Sequence, residues 1–128
     1  MLEIDLPDVV AELVATFDAY EIALGMNDIL TLNNFFLDSA FTVRYGAREG
    51  ERQYSHSEIA EFRIKRGVVN RPRVLRNLRI TTFGRELGVA NTEFLITGSD
   101  RIGRQSQTWV RAGQDWKIVS AHVSIEHP

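Results

Sequence analysis

The sequence predicts an α+β fold in which three N-terminal helices pack on a strongly curved, mainly antiparallel sheet. Apolar residues recur at helical spacing up to about residue 66 and at alternate positions from residue 74 onward. Helical segments followed by consecutive strands favour helices gathered on one side of a single sheet. We expect this sheet to wrap around the helices as a cone that encloses a pocket.

Composition and charge narrow the class of protein. The chain has 128 residues, 44% of them hydrophobic, so we expect one domain, residues 1–128, with a substantial core. The formal net charge of −2 gives no support for nucleic-acid or membrane binding. There is no cysteine, and the three histidines lack metal-ligand spacing. The first residues have no basic start and no long apolar run, so we expect a cytoplasmic protein. We also expect no metal and no cofactor.

Three helices are predicted in the first half of the chain. The first covers residues 7–26, with Asp5 as its cap and Tyr20 beside its buried stripe. The stripe consists of Val10, Leu13, Val14, Phe17 and Leu24. The second covers residues 29–37, is capped at Asn27-Asp28, and has its buried side at Leu30, Phe35 and Leu37.

A capping box at Ser55 and Glu58 opens the third helix, over residues 57–66, from which Ile59, Phe62 and Ile64 point inward.

Five strands are predicted from alternation and turn residues. The first covers residues 40–45, where Phe41, Val43 and Tyr45 alternate with Thr42 and Arg44. The other four cover residues 74–83, 87–97, 101–111 and 116–125, separated by turns that contain glycine.

Tyr20 and Arg44 are the main candidates for chemistry. The helix–strand order places both side chains at the mouth of the expected pocket, where a phenol and a guanidinium would suit a small anion. A buried guanidinium is costly unless it meets an anion, and its planar fork suits a carboxylate. The alternatives are an Arg44 paired with an internal Asp or Glu or lying on an exposed strand face, and a Tyr20 that is an ordinary core tyrosine.

The last strands offer further candidates. Gln105, Gln107 and Trp109 share one face of a strand, so Gln107 either binds an amide or urea group in the pocket or belongs to a polar dimer interface. Simple alternation places His122 on the same face as Trp116, Ile118 and Ser120. We expect His122 to be an interface residue in preference to an acid–base group in the pocket.

Glu93 is predicted on the outer face of the sheet, paired with Arg104 across the sheet or across a dimer interface, or simply exposed.

A basic run is interpreted as a solvated face; it comprises Arg63, Arg66, Arg71, Arg73 and Arg76. The sequence has no nucleophile elbow, phosphate loop or dinucleotide fingerprint.

Five stretches of the chain resemble the AtzH-like family, within the nuclear-transport-factor-two-like (NTF2-like, SnoaL-like, cystatin-like) superfamily. They are Leu6-Pro7-Asp8-Val9-Val10, Thr42-Val-Arg-Tyr-Gly46, Ala90-Asn-Thr-Glu-Phe94, Arg101-Ile-Gly-Arg-Gln-Ser-Gln-Thr-Trp-Val-Arg111 and Trp116-Lys-Ile-Val-Ser-Ala-His-Val-Ser124. The resemblance implies action on small carboxylated ureas or ureides, as in cyanuric acid catabolism or, for HpxZ, oxalurate catabolism. It implies a decarboxylating amide hydrolysis that yields allophanate, with the family's Tyr and Arg pair matched by Tyr20 and Arg44.

Three functions remain in view at this stage. The first is a cofactor-free hydrolase of a 1,3-dicarboxyurea-like or oxalurate-like substrate, with Arg44, Gln107 and Trp109 binding the substrate. The second is a non-catalytic anion-binding or accessory protein of ureide catabolism. The third is an interaction module, in which Glu93, Arg104 and His122 on the outer face matter most. In each case we expect a homodimer through the outer sheet face, because a long curved sheet leaves a broad side to cover. The loop at residues 47–56 is more charged than the family pattern implies, and it is expected to border the pocket.

Overall fold

A computed structural model of the protein describes residues 1–48, 50–66 and 72–127, apart from the side chain of Arg66. The helices in this part are α1 (Pro7–Met26), α2 (Ile29–Asn34) and α3 (His56–Arg66). The strands are β1 (Val43–Tyr45), β2 (Gln53–Tyr54), β3 (Arg73–Phe83), β4 (Leu87–Ile96), β5 (Ile102–Ala112) and β6 (Asp115–Ile125). None of these helices is long and apolar enough to cross a membrane.

The strands join one six-stranded sheet in the order β2-β1-β6-β5-β4-β3. β1 runs parallel to β6, and the other described strand pairs are antiparallel. Residues of all three helices share one core cluster with inward residues of the sheet. The predicted α+β class, with helices packed on one mainly antiparallel sheet, is therefore confirmed. β2 was not predicted because two residues are too few to show alternation.

Helix α1 has the predicted bounds, but its buried stripe lies slightly off the predicted one. Its buried residues are Val9, Leu13, Phe17, Tyr20 and Ala23. These follow one line of three- and four-residue steps, which leaves Val14, expected in the stripe, exposed. The helix lies close to the sheet at Gly88 of β4. There is no space for a Cβ at this position, since it would overlap a methyl group of Leu13.

Two predicted helix caps are confirmed and one is wrong. Asp28 accepts a hydrogen bond at the start of α2, and the Ser55 N–H donates to Glu58 at 3.1 Å at the start of α3. Asp5 does not cap α1. Its carboxylate accepts from the Thr82 N–H at 2.9 Å instead, so it holds the N-terminal segment against β3.

Two residues predicted to point inward face solvent. Leu30 of α2 is 84% exposed and Ile64 of α3 is 64% exposed. Leu32 is buried in α2, and in α3 Arg63 is buried beside Ile59. Ile59 and Arg63 are four residues apart and so lie on one helix face, which Ile64 does not share.

Bulges interrupt two strands and change which residues face inward. One lies between Arg76 and Arg79 of β3. The other leaves Val119 of β6 without a partner, because Ile118 pairs with Trp109 while Ser120 pairs with Thr108. The extra residue shifts the alternation by one. Trp116 and Ile118 are therefore buried and so is Ala121, while His122 is exposed, so the simple alternation predicted for this strand was wrong.

Candidate active site

A pocket of about 790 Å³ lies between the helices and the sheet. It is lined by side chains from α1, α3 and the loop after β1, and by side chains of β1 and of β3 to β6. The polar and charged residues that line it are Tyr20, Arg44, Arg48, Glu51, Arg63, Arg73, Arg101, Gln105, Gln107 and His127. Among the described residues, five guanidinium groups and one carboxylate line the pocket, which favours an anionic ligand.

Tyr20 and Arg44 both line this pocket, as the helix–strand order predicted. Tyr20 is only 4% exposed, and its ring makes edge contacts with Phe35, Phe36 and Trp109 at centroid distances of 5.7, 6.5 and 6.0 Å. The aromatic cluster fixes the plane of the ring. Packing thus orients the Tyr20 phenol toward a charged cavity.

The guanidinium of Arg44 lies 3.6 Å from the carboxylate of Glu51, with side chains only 12% and 6% exposed. An internal acid therefore does lie beside Arg44, as the first alternative for this residue anticipated. This distance is too long for a hydrogen bond, and among the described residues Arg44 Nη1 and Glu51 Oε2 have no hydrogen-bond partner. The carboxylate balances the charge but leaves the donor unsatisfied.

Burial lowers the pKa of Arg44 below its ordinary value, and the positive charge of Arg63 lowers it further. Tyr20, Glu51 and Tyr54 act in the opposite direction. Tyr20 and Arg44 are therefore close enough to interact electrostatically. An additional anion beside Arg44 would offset both the desolvation and the repulsion by Arg63.

Arg63 and Arg73 belong to the pocket, so the interpretation of the basic run as a solvated face was wrong for both. Arg63 is 1% exposed and lies over the ring of Phe36, with 5.8 Å between Cζ and the ring centroid. Arg73 forms a bidentate ion pair with Glu21, with Nη2–O distances of 2.9 and 2.6 Å. Arg76 is exposed as predicted, while Arg71 and the Arg66 side chain lie outside the described residues.

Two glutamines and a tryptophan of β5 face the pocket side of the sheet. Gln105, Gln107 and Trp109 are all buried, so the shared face predicted from alternation is the inward one. The indole N–H of Trp109 donates to the Gln107 side-chain oxygen at 3.1 Å. This bond leaves the NH₂ group of Gln107 as the donor for a ligand. Trp109 itself supports Gln107 and Tyr20 from within the core.

The remaining predicted residues lie on the outer face of the sheet. Glu93 stands opposite Arg104 in register, but its carboxylate accepts from Asn77 at 2.6 Å and lies 3.9 Å from Arg76. The His122 ring is exposed and lies against the Tyr45 ring at 5.2 Å. His122 is therefore not positioned as an acid–base group of the pocket.

Sequence reasoning missed Glu51 and Arg63 as site residues. Arg63 had a signal, since it follows the buried Ile59 by four residues on α3. Glu51 had only its place in a charged loop, and a loop has no periodicity that fixes the direction of a side chain. Among the described residues no group of three His, Asp or Glu side chains is arranged to hold a metal ion.

The profile of the AtzH-like family matches residues 2–128 of the chain. No curated protein matches it. A crystal structure of a protein of unknown function from Pectobacterium atrosepticum is 45% identical, with a TM-score of 0.90 over 97% of this chain and 95% of that one. A cystatin-like fold protein from Burkholderia xenovorans is 38% identical, with a TM-score of 0.89 over 100% of both chains. An NTF2-like protein of unknown function from Pseudomonas putida, 18% identical, has a TM-score of 0.72 over 90% of this chain and 84% of that one, and shares the fold.

Proposed function

The chain belongs to the AtzH-like family, and from that premise we propose a cofactor-free enzyme, in the cytoplasm, that hydrolyses a C–N bond of a carboxylated urea or ureide. The observation that carries this proposal is the excess of guanidinium groups over carboxylates around a cavity with a phenol in its wall. A cavity of about 790 Å³ has room for a small dianion and several water molecules.

In this proposal each polar group has a separate task. Arg44 binds a substrate carboxylate and stabilises the negative charge that develops on the adjacent carbonyl oxygen. Tyr20 orients the carbonyl and transfers a proton to the departing nitrogen. Gln107 donates to the urea oxygen through the NH₂ group that Trp109 leaves available. Trp109, predicted to bind the substrate, is not among the residues that line the pocket and acts through Gln107 instead.

The reaction balances without a protein nucleophile. With 1,3-dicarboxyurea, a water oxygen bonds to the terminal carboxyl carbon, the C–N bond breaks, and a proton moves to nitrogen. The products are allophanate and hydrogencarbonate. With oxalurate, water adds to the amide carbon and the same bond changes give urea and oxalate. Positioning and charge stabilisation are the contributions that the pocket can make to either reaction.

The direct test is turnover of the purified protein with these two compounds. We expect release of hydrogencarbonate from 1,3-dicarboxyurea, or of urea and oxalate from oxalurate, followed by NMR. Ammonia is measured in parallel to detect loss of an amide group. No product from either compound, under conditions in which one of them binds, would contradict the enzymatic proposal.

A non-catalytic anion-binding protein of ureide catabolism is the second candidate. The contact of Arg44 with Glu51 favours it, because the site already contains a carboxylate in its free state. In that case 1,3-dicarboxyurea would raise the melting temperature without product formation. Tyr20→Phe would leave this stabilisation unchanged, and replacement of Arg44 would remove it.

We also propose a homodimer that forms through the outer sheet face. Tyr45 is 40% exposed there beside His122, and the Arg76–Glu93 pair supplies charges of both signs. An open sheet face with aromatic and paired charged groups can serve a two-fold interface.

Sedimentation velocity at micromolar concentration is expected to show a dimer. Arg104→Glu, which reverses a charge on that face, should shift the protein toward monomer. Arg85→Glu, which changes an exposed residue paired with Asp8 elsewhere, should not. A wild-type monomer under these conditions would refute the interface.

A further inference from the structure

Two of the guanidinium groups that line the pocket, those of Arg44 and Arg63, belong to nearly buried side chains. Arg44 and Arg63 are close enough that the charge of one lowers the pKa of the other. The ion pairs of the described residues give Arg44 one partner, Glu51, and do not include Arg63. Arg44 thus has one nearby carboxylate and Arg63 has no ion pair among the described residues. Both side chains lie in a region of low dielectric, where a further anion would stabilise them.

Both guanidinium groups also have donors that point at no acceptor. Arg44 Nη1 and Arg63 Nε are buried and lack a hydrogen-bond partner among the described residues. A buried donor without an acceptor is costly. A small planar carboxylate is the group that a pair of such donors fits, because its two oxygens can each accept from a different guanidinium.

The Glu51 carboxylate lies beside Arg44 but does not form a hydrogen bond with Nη1. Its Oε2 is 3.6 Å from Nη1, too long for a hydrogen bond, and this oxygen is itself buried and unsatisfied. The carboxylate rests against Gly46, where a Cβ would overlap Oε2. Glu51 is carried on a loop and not on a helix or strand. It can therefore leave this position without disturbing the sheet.

We propose that Arg44 and Arg63 together form a carboxylate subsite, and that Glu51 is a tethered competitor which the carboxylate of the ligand displaces. The inference deepens the proposed function and rests on it for the identity of the natural ligand. It assigns Arg63 as a second binding residue. It assigns Glu51 a role opposite to that of a catalytic base, since removing its charge should strengthen binding.

Malonate, a dicarboxylate that cannot be hydrolysed at a C–N bond, is the probe. Its dissociation constant is measured by calorimetry in a low-chloride buffer near neutral pH. Glu51→Gln is expected to bind malonate about tenfold more tightly than the wild type, because one competing negative charge is removed.

Arg63→Met is expected to weaken malonate binding by about 10- to 100-fold, the loss of one hydrogen bond to a charged group. Arg63→Lys should give an intermediate constant, and it replaces Arg63→Met in the test if the latter fails to fold. Arg85→Met, at an exposed residue far from the pocket, is the matched control and should bind as the wild type does.

Two outcomes would overturn the inference. Glu51→Gln with unchanged or weaker malonate binding would show that Glu51 does not compete, whatever its effect on turnover. Arg63→Lys and Arg63→Met with wild-type binding would remove Arg63 from the subsite. Because malonate binding needs no turnover, the binding pattern can hold in a protein that hydrolyses no ureide. Conversely, a protein that hydrolyses one can still fail the Glu51→Gln test.

Discussion

Arg44→Met is expected to reduce kcat/KM by about 10³-fold or more, because a buried charge-assisted contact with the substrate is worth ~4 kcal/mol. The guanidinium is nearly buried and its only described ion-pair partner is a carboxylate that does not hydrogen-bond to it. A ligand carboxylate would form the hydrogen bond to Arg44 that Glu51 does not form. Methionine keeps much of the length of the side chain and removes the charge, so binding should be lost together with turnover.

The substitution should lower stability without unfolding the protein. It removes the partner of the buried Glu51 carboxylate, which is destabilising, and it also removes the repulsion by Arg63, which offsets part of that loss. We expect the free energy of unfolding to fall by about 3 kcal/mol, measured by urea denaturation. Arg85→Met is the control for loss of a positive charge. Arg44→Met activity within threefold of the wild type would place the substrate carboxylate elsewhere in the pocket.

Tyr20→Phe is expected to lower kcat by about 10²-fold or more and leave KM nearly unchanged, since general acid–base groups contribute at this level. Phenylalanine keeps the edge contacts with Phe35, Phe36 and Trp109, so packing should be preserved. The substitution removes only the hydroxyl group that we assign to proton transfer. Steady-state kinetics with the better of the two ureide substrates measures the effect.

Tyr45→Phe is the matched control, because the Tyr45 hydroxyl accepts from Gln53 at 2.7 Å on the other side of the sheet. It should have wild-type kinetics. An unchanged kcat in Tyr20→Phe would exclude the phenol from catalysis. If Tyr20→Phe and the wild type both bind substrate without forming product, while Arg44→Met does not bind it, the anion-binding function is correct.

Periodicity predicted the elements well where packing agreed with it. The helical steps of three to four residues predicted the bounds of α1, and the two-residue alternation predicted that Gln105 and Trp109 share a face. The structure shows that this face is the inward one. The prediction failed at Val119, because no local pattern marks a single extra residue in a strand. One bulge was enough to move His122 to the opposite face from Ile118.

The pocket residues likewise divide into those that a periodic pattern could place and those that it could not. Tyr20 and Arg44 could be predicted as pocket residues because each lies at a definite phase of a helix or strand and because the family resemblance implies a Tyr and Arg pair there. Arg63 was taken for a solvated residue because charged side chains in a helix usually are, and only the packing of α3 over the pocket buries it.

The sequence by itself determined the order of the elements, the phase of most of them and the pair of groups that α1 and β1 bring to one cavity. These depend on the spacing of apolar side chains along a single segment. Only the tertiary structure decided that Arg63 lines the same cavity as Arg44 and that the Glu51 carboxylate lies beside Arg44. The physical reason is that a buried charge is stabilised by groups distant in sequence, and their positions depend on how a loop and a helix fold across the sheet.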